Sequence, residues 1–323
     1  MNINDRQNAH NDIDHIFKNL FPAQAMPERP EQIALSHRML DAMLGGGIAL
    51  CDAGTGIGKT YAYLVAGTVF SRFRAASPIL ISTSSIALQA AIRDEYLPFL
   101  SNLLMADGMI AQPIQAVIRK GKGHYVCDER LERRLGQLDL SKKNWRAGAA
   151  LLTLRNELDM DEAAHLSGYD RERVCVPQTC DCQRESCRYL LFLERCDTGL
   201  FLFQICNHNL LLADAIHRSS GRRPILPDTS ALVIDEAHKL PDAARQMFGV
   251  TLDVEDIRAL SRSLRAERFL LAAELWHDAA APLVRKLSKP TEENQSFNSY
   301  AGLLAAPERK LKVIHRQLKD LLT

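Results

Sequence analysis

Ala53-Gly54-Thr55-Gly56-Ile57-Gly58-Lys59-Thr60 lies between a short apolar run and a helical pattern, and each residue type in it suits phosphate chemistry. Glycines let successive backbone N–H groups turn inward around phosphate oxygens, and the helix N-terminus that follows adds partial positive charge. Lys59 is placed to bring an ammonium to the β- and γ-phosphates, and Thr60 a hydroxyl to magnesium. Ala53 stands where the strict pattern has glycine. A second element, Asp235-Glu236-Ala237-His238, directly follows the apolar run Ala231–Ile234. A carboxylate at a strand end can hold Mg²⁺, and the next can orient and deprotonate an attacking water. Alone, each segment has a plainer explanation, a glycine-rich turn or an acidic helix start favoured by the helix dipole. Together in one chain they point to ATP hydrolysis with Lys59, Asp235 and Glu236 as the catalytic residues.

The eight cysteines are a second chemical signal, because six of them, Cys175, Cys180, Cys182, Cys187, Cys196 and Cys206, fall within 32 residues. In a reducing compartment clustered thiolates bind metal or an iron–sulfur cluster more readily than they form disulfides. The segment Cys175–Cys187 is too polar to be a core strand or helix. Cys51 and Cys206, each beside apolar residues, read instead as buried, inert thiols.

The elements that must position these groups follow from the apolar pattern. Gln32 to Leu44 has apolar residues at helical spacing, stopped by Gly45–Gly47. Short apolar runs at Ile48–Cys51, Ile79–Thr83, Gln115–Ile118, Leu200–Cys206 and Ala231–Ile234 read as strands. The first four-residue run precedes the glycine-rich turn, and helices follow at Tyr61–Phe73 and Ala87–Tyr96. Strands alternating with helices imply an α/β fold with a parallel sheet. From Val254 onward the pattern is helical and polar, with Leu260, Leu264, Leu270, Leu271, Leu275 and Trp276 roughly at helical spacing. The chain has 323 residues, 46% of them hydrophobic and 24% charged, which suits a globular protein and excludes wholesale disorder. No apolar run is long enough for a membrane span, and the polar N-terminus is not a secretory signal. The net charge of +1 gives no sign of a nucleic-acid partner, but residues 119–146 hold nine Lys/Arg against four Asp/Glu, a local excess of five. Such a patch suits the phosphates of a single strand, with Tyr125 and Trp145 as possible stacking faces, although core packing is the plainer role for both aromatics.

AGTGIGKT followed by VIDEAH resembles the DinG/XPD branch of superfamily 2 helicases, and other segments agree in order. Arg29-Pro30-Glu31-Gln32 is similar to that family's R-x-x-Q element, which contacts adenine. Ser82-Thr83-Ser84-Ser85-Ile86-Ala87-Leu88-Gln89 is similar to its motif Ia, which grips the DNA backbone, so Ser82, Thr83 and Ser84 become DNA-contact candidates. Lys120-Gly121-Lys122-Gly123-His124-Tyr125-Val126-Cys127 is similar to the segment carrying its first cluster cysteine, which adds Lys120 and Lys122 to the DNA-contact candidates. Asn207–Asp214 resembles its NHHLLLAD segment. The resemblance spans roughly residues 29–245.

The resemblance implies a P-loop NTPase, RecA-like parallel-sheet lobe with an inserted iron–sulfur domain and a C-terminal helical, Arch-like segment. The expected divisions are a leader (1–28), the first lobe in two parts (29–118 and 207–245), the insertion (119–206) and the start of the Arch (246–323). It implies a [4Fe–4S] cluster on Cys127, Cys175, Cys180 and Cys187, with Cys182 competing for the third position and zinc as the rival occupant of the same thiolates. The cluster would staple an insertion with little apolar core. ATP and Mg²⁺ would be bound by residues 53–60, Asp235, Arg29 and Gln32, and His238 would couple the site to a second RecA-like lobe. That second lobe, with its arginines, is absent from the sequence, so the chain resembles the N-terminal half of a longer helicase, whether excised or encoded by a shortened gene.

The expected parent activity is ATP-dependent 5′→3′ unwinding of DNA by a cytoplasmic monomer acting on single strands and forks, with weak nucleotide binding and low turnover in this half alone. The alternatives are a non-catalytic metal-binding DNA-interaction module, an accessory helicase of a repair or CRISPR complex, and a P-loop ATPase unrelated to DNA.

Overall fold

A computed structural model of the chain describes residues 3–73, 78–138, 145–177, 179–180, 186–248, 254–288 and 298–322. The chain divides into two units, Met1–Met247 and Phe248–Thr323.

The first unit begins with α1 (Ile3–His15), which runs through a π-helical turn (Ile16–Leu20) into α2 (Phe21–Ala23). This is the stretch expected as a leader. Its apolar side chains Ala9, Ile13, Ile16, Phe17 and Phe21 are buried in the main core, so it is part of the lobe's packing. Fully burying side chains of this size stabilises by about 1.5–3 kcal/mol each for the larger ones. Helix α3 (Pro30–Gly45) starts with Pro30 in its first turn, where a missing N–H costs nothing, and ends at Gly46 in the left-handed conformation. Helix α4 (Lys59–Phe73) is apolar nearly all round and buries residues 62–70, packing against α1 and α3 and sharing a core with the sheet.

The remaining elements are β1 (Ile79–Ser82), α5 (Ile86–Ala91), α6 (Leu97–Ala106), β2 (Ala116–Ile118), α7 (Asp128–Gln137), α8 (Trp145–Thr153), α9 (Gly168–Val174), α10 (Arg188–Asp197), β3 (Phe203–Cys206), α11 (His208–Ser219), β4 (Ala231–Ile234) and α12 (Leu240–Phe248). The four strands form one parallel sheet in the order β2-β3-β1-β4. Fully buried strands read as near-continuous apolar runs, as in ILIS and in FQIC, where Gln204 alone interrupts the pattern before the strand's end. The α/β expectation holds.

One expected strand does not form. Ile48–Cys51 is irregular, with Ile48 94% and Leu50 90% exposed. An apolar run becomes a strand only where a neighbour takes its backbone N–H and C=O groups, and none of the four strands pairs with it. The free edge nearest the acidic motif belongs to β4, where Leu232 is 47% exposed.

Residues 119–206 were expected to hold little apolar core. Instead Val126, Leu131, Leu135, Leu151, Leu154, Met160, Ala163 and Val174 form a cluster of their own. The charged sequence hid it because α7 is strongly amphipathic and shows only Leu131 and Leu135 to the inside. The antiparallel bridge Val126↔Cys175 and the pair Arg188–Asp128, 2.5 Å apart, tie the ends of this segment together.

The second unit holds α13 (Val254–Ala266), α14 (Leu270–Leu287) and α15 (Asn298–Leu322). Its core includes Ile257, Leu264, Ala273, Trp276, Ala280, Leu283 and Ile314. Leu270 and Leu271, expected on the apolar face, are exposed at the first turn of α14. Among the described residues no helix is long and apolar enough to cross a membrane.

Candidate functional site

Parallel pairing brings the strand ends into line. Ser82 registers with Cys206 on one side and with Ile234 on the other. The residues just past these ends, Thr83-Ser84, Asn207-His208 and Asp235-Glu236, therefore gather at the carboxyl edge of the sheet, where open α/β folds place their ligands. Asp235 N–H donates to Ser82 O (2.8 Å), and Thr83 N–H to Cys206 O (3.0 Å).

The glycine-rich turn reaches the same edge from the start of α4. Gly56 and Gly58 both adopt positive φ, 83° and 89°, which side chains with a Cβ rarely take. The turn is braced from α3. Arg29 Nη1 donates to Gly56 O and Gln32 Nε2 to Gly58 O, each at 2.7 Å. Ser36 Oγ adds a bond to Ala62 O at 3.0 Å. A Cβ on Gly58 would lie 2.2 Å from Gln32 Nε2, so the turn and Gln32 can meet only because residue 58 is glycine. Arg29 and Gln32 thus hold the loop's shape through its carbonyls.

Lys59 joins the two motifs. Its Nζ donates to Ala53 O (3.2 Å) and lies 3.5 Å from Glu236 Oε1. Asp235 Oδ1 accepts from Glu236 N–H at 3.0 Å. Burial, reinforced by the neighbouring Glu236 charge, pushes the Asp235 carboxyl above its ordinary value, while Lys59 and His208 pull it down. A carboxylate held in this way gains from an added cation, as a Mg²⁺ ligand does. Glu236 itself takes the left-handed conformation (φ 53°), and His238 Nε2 lies 3.5 Å from its Oε2 while remaining 70% exposed. Thr60, at the first turn of α4, and Ile57 complete the loop. Every residue expected to bind ATP and magnesium therefore belongs to one α3–loop–α4 and strand-end assembly.

His208 has no expected role from sequence, yet the fold sets it beside the acid pair. It is buried, its Nδ1 is 2.7 Å from Ser82 Oγ, and burial lowers its pKa while the backbone of Glu236 and the Asp235 charge oppose that shift. Its place at the start of a helix just after a buried strand was the available signal.

The expected DNA contacts divide. Ser84 is exposed, but Ser82 and Thr83 are fully buried, and Ser82 is bonded to His208. Both lie at the end of a strand buried on its two faces, where Ser82 meets His208 and Thr83 Oγ1 accepts from Ser85 N–H at 3.3 Å. Lys120 is paired with Asp159 (2.5 Å) and Asp161 (2.7 Å) and is mostly covered. Arg119 is buried against Gln204 Oε1 and Ile225 O. Arg133 pairs with Glu129, and Arg134 with Asp170. Much of the local positive excess is therefore used inside the fold. Lys122 lines, together with Lys120, a cavity of about 1150 Å³. Tyr125 is buried against Tyr189 and Phe192, as the plainer reading expected. The side chain of Trp145 lies outside the described residues, as do Lys142 and Lys143.

Cys127, Cys180 and Cys187 line that same cavity. Cys175 adjoins it in sequence and space, since Cys127 N–H donates to Val174 O at 2.8 Å and Val126 bridges Cys175. Among the described residues no three His, Cys, Asp or Glu side chains are arranged to hold a metal ion, and Cys182 lies outside them. Cys196 and Cys206 are fully buried, and burial pushes the Cys206 thiol up to about 12, as befits an inert thiol.

A parallel α/β lobe that brings a glycine-rich loop, an adjoining lysine and a strand-end acid pair to one sheet edge has the arrangement that P-loop nucleotide chemistry requires. No family model matches the chain. It is 29% identical over 257 residues to the ATP-dependent DNA helicase YoaA of Escherichia coli, covering 75% of this chain and 38% of that protein. It is 28% identical over 258 residues to the ATP-dependent DNA helicase DinG of Photobacterium profundum (74% and 35%), and 29% identical over 229 residues to the 3'-5' exonuclease DinG of Bacillus subtilis (69% and 23%). The resemblance to DinG-type helicases seen in the motifs thus extends along three quarters of the chain. The chain spans less than two fifths of the length of these relatives.

Proposed function

We propose that this chain is the nucleotide-binding first lobe, with its insertion and the start of an Arch-like helical domain, of a cytoplasmic, monomeric ATP-dependent DNA helicase of the DinG type. The observation that carries the reading is the convergence of Lys59, Asp235 and Glu236 around a glycine loop braced by Arg29 and Gln32. In this reading Lys59 leaves Glu236 to hold the β- and γ-phosphates, Thr60 and Asp235 hold Mg²⁺, and Glu236 orients the attacking water. His238, exposed beside Glu236, reports the state of the nucleotide to a second lobe. That lobe would supply the arginines that stabilise charge on the transferred phosphoryl group, so residues 1–323 bind nucleotide weakly and turn it over slowly. Its substrate would be single-stranded DNA and the fork, travelled 5′→3′, with Ser84 and Lys122 as backbone contacts.

The donor set favours a thiolate-bound group in the insertion, because Cys127, Cys180 and Cys187 face one cavity and Cys175 adjoins it. These four, with Cys182 as competitor, would hold a [4Fe–4S] cluster, or zinc in its place. Such a group would fix the polar loop between α9 and α10 rather than the whole insertion, which has its own apolar core. A role within a repair or CRISPR complex is the secondary reading.

The test is the ATPase rate of residues 1–323 with and without single-stranded DNA. The reading expects little turnover together with measurable nucleotide binding. A fast, DNA-stimulated rate abolished by Lys59→Ala would overturn the half-motor proposal, and failure to bind single strands even at low salt would favour a P-loop ATPase unrelated to DNA.

A further inference from the structure

The second unit carries a charged feature that the nucleotide site does not explain. Between α13 and α14 lies a cleft of about 450 Å³. Arg258, Arg262 and Arg265 line it from α13, and His277 and Arg285 face them from α14. The three arginines of α13 fall at i, i+4 and i+7, one face of a helix, and span about 10 Å along its axis. No acidic side chain lines the cleft, although Glu255, Asp256, Glu274 and Asp278 lie on the same two helices. Among the described residues Arg258, Arg265 and Arg285 make no ion pair, whereas Arg262 pairs with Glu255.

Like charges one turn apart on a helix repel, and facing rows repel further. The apolar core beneath does not need them, since it is closed by Trp276, Ala273 and Leu283 and pinned by Trp276 Nε1 donating to Ile257 O at 3.0 Å. Water, salt and the Arg262–Glu255 pair screen part of this repulsion, and a bound anion would relieve the rest.

We propose that this cleft is a binding site for the phosphate backbone of a single nucleic-acid strand, an inference that rests on the DNA-directed reading above. Three features set the class of ligand. A row of cations along 10 Å matches a row of phosphates rather than one small ion. The cations are arginines, whose planar fork grips phosphate oxygens in pairs. Between the cations the cleft is lined by uncharged side chains, Ser261, Ala280 and Ala281 with Ile257 and Val284, so no acid opposes a phosphate there. No Phe, Tyr or Trp lines the cleft, so it grips the backbone without stacking or reading bases.

The test uses the full chain and a fluorescent oligothymidine, with anisotropy measured across a salt series in the absence of nucleotide. Each phosphate contact on a single strand contributes a slope of about 0.7 in log K against log salt, so Arg258→Gln/Arg262→Gln/Arg265→Gln should lower the slope by about 2 and weaken binding at low salt by about tenfold or more. The three arginines are exposed, and circular dichroism should show the variant folded. The corresponding triple lysine variant should keep most of the slope, and Lys59→Ala should keep all of it. An unchanged slope in the glutamine variant, with intact binding by the parent, overturns this inference and leaves the helicase reading standing. Absence of binding by the parent overturns both. Equal competition by poly-glutamate of matched charge, lost in the glutamine variant, overturns the nucleic-acid assignment in favour of an acidic peptide.

Discussion

Placing alanine at each glycine of the phosphate loop in turn tests whether that loop is held rigidly by α3. At Gly54 the added Cβ would meet only Ile57 Cδ1 at 3.6 Å, an ordinary contact, and φ is not positive. At Gly56 nothing lies within 4 Å, but φ is +83°, and a left-handed residue with a Cβ costs about 1–2 kcal/mol. At Gly58 φ is +89° and the Cβ would lie 2.2 Å from Gln32 Nε2 and 2.9 Å from Gln32 Cδ, so Gln32 must leave its bond to Gly58 O. Losing that bond adds about 0.5–1.5 kcal/mol to the same backbone strain, giving about 1.5–3.5 kcal/mol in all. Urea unfolding without nucleotide, followed by circular dichroism, should therefore rank the variants Gly54→Ala, Gly56→Ala, Gly58→Ala from least to most destabilised. In the Gly58→Ala background, Gln32→Ala should cost little further, because the two share one interaction. Equal midpoints for the Gly54 and Gly58 variants would refute the bracing of the loop by Gln32.

Other outcomes follow from the same geometry. His208→Ala should destabilise the first unit by about 1–3 kcal/mol, because it leaves the buried Ser82 hydroxyl unpaired, and should weaken Mg-nucleotide binding; unchanged values for both would show that the Ser82–His208 contact does nothing. Burial raises the Asp161 carboxyl, but hydrogen bonds from Lys120 and Arg171 outweigh it and bring the pKa to about 2 from an ordinary 3.8. A depressed acid stabilises the fold above its unfolded pKa, so the contribution is complete above about pH 5 and is lost as pH falls through 3.8 toward 2. Asp161→Asn should flatten that part of the acid unfolding curve, and an unaltered curve would contradict the pairing. In anaerobically purified protein, Cys127→Ser should abolish the visible absorbance of an iron–sulfur cluster while Cys51→Ser preserves it; colourless parent protein with stoichiometric zinc would replace the cluster by the rival metal.

The sheet was legible because its strands are largely apolar runs, buried in ILIS and FQIC and partly exposed in the edge strand ALVI, and all three became strands within a few residues of the expected limits. Ile48–Cys51 has the same local composition but no partner, and pairing is a non-local property that composition does not carry. The N-terminal 28 residues misled in the opposite sense, since a polar, weakly patterned stretch nevertheless buries one apolar stripe through α1 and the turn after it. The glycine-rich loop, Lys59 and the acid pair were readable from residue type and order. What spacing did not disclose was partnership. Lys120 and Arg119 counted as free positive charge in the sequence, yet the fold commits one to two carboxylates and the other to buried oxygens. His208 became visible only when parallel register brought its helix beside β1 and β4.

The most direct test of the central claim is calorimetric titration of residues 1–323 with Mg²⁺ and a non-hydrolysable ATP analogue. The account predicts saturable binding of one nucleotide per chain, dependent on Mg²⁺, abolished by Lys59→Ala and weakened by Asp235→Asn. No binding, or binding indifferent to both substitutions, would contradict it.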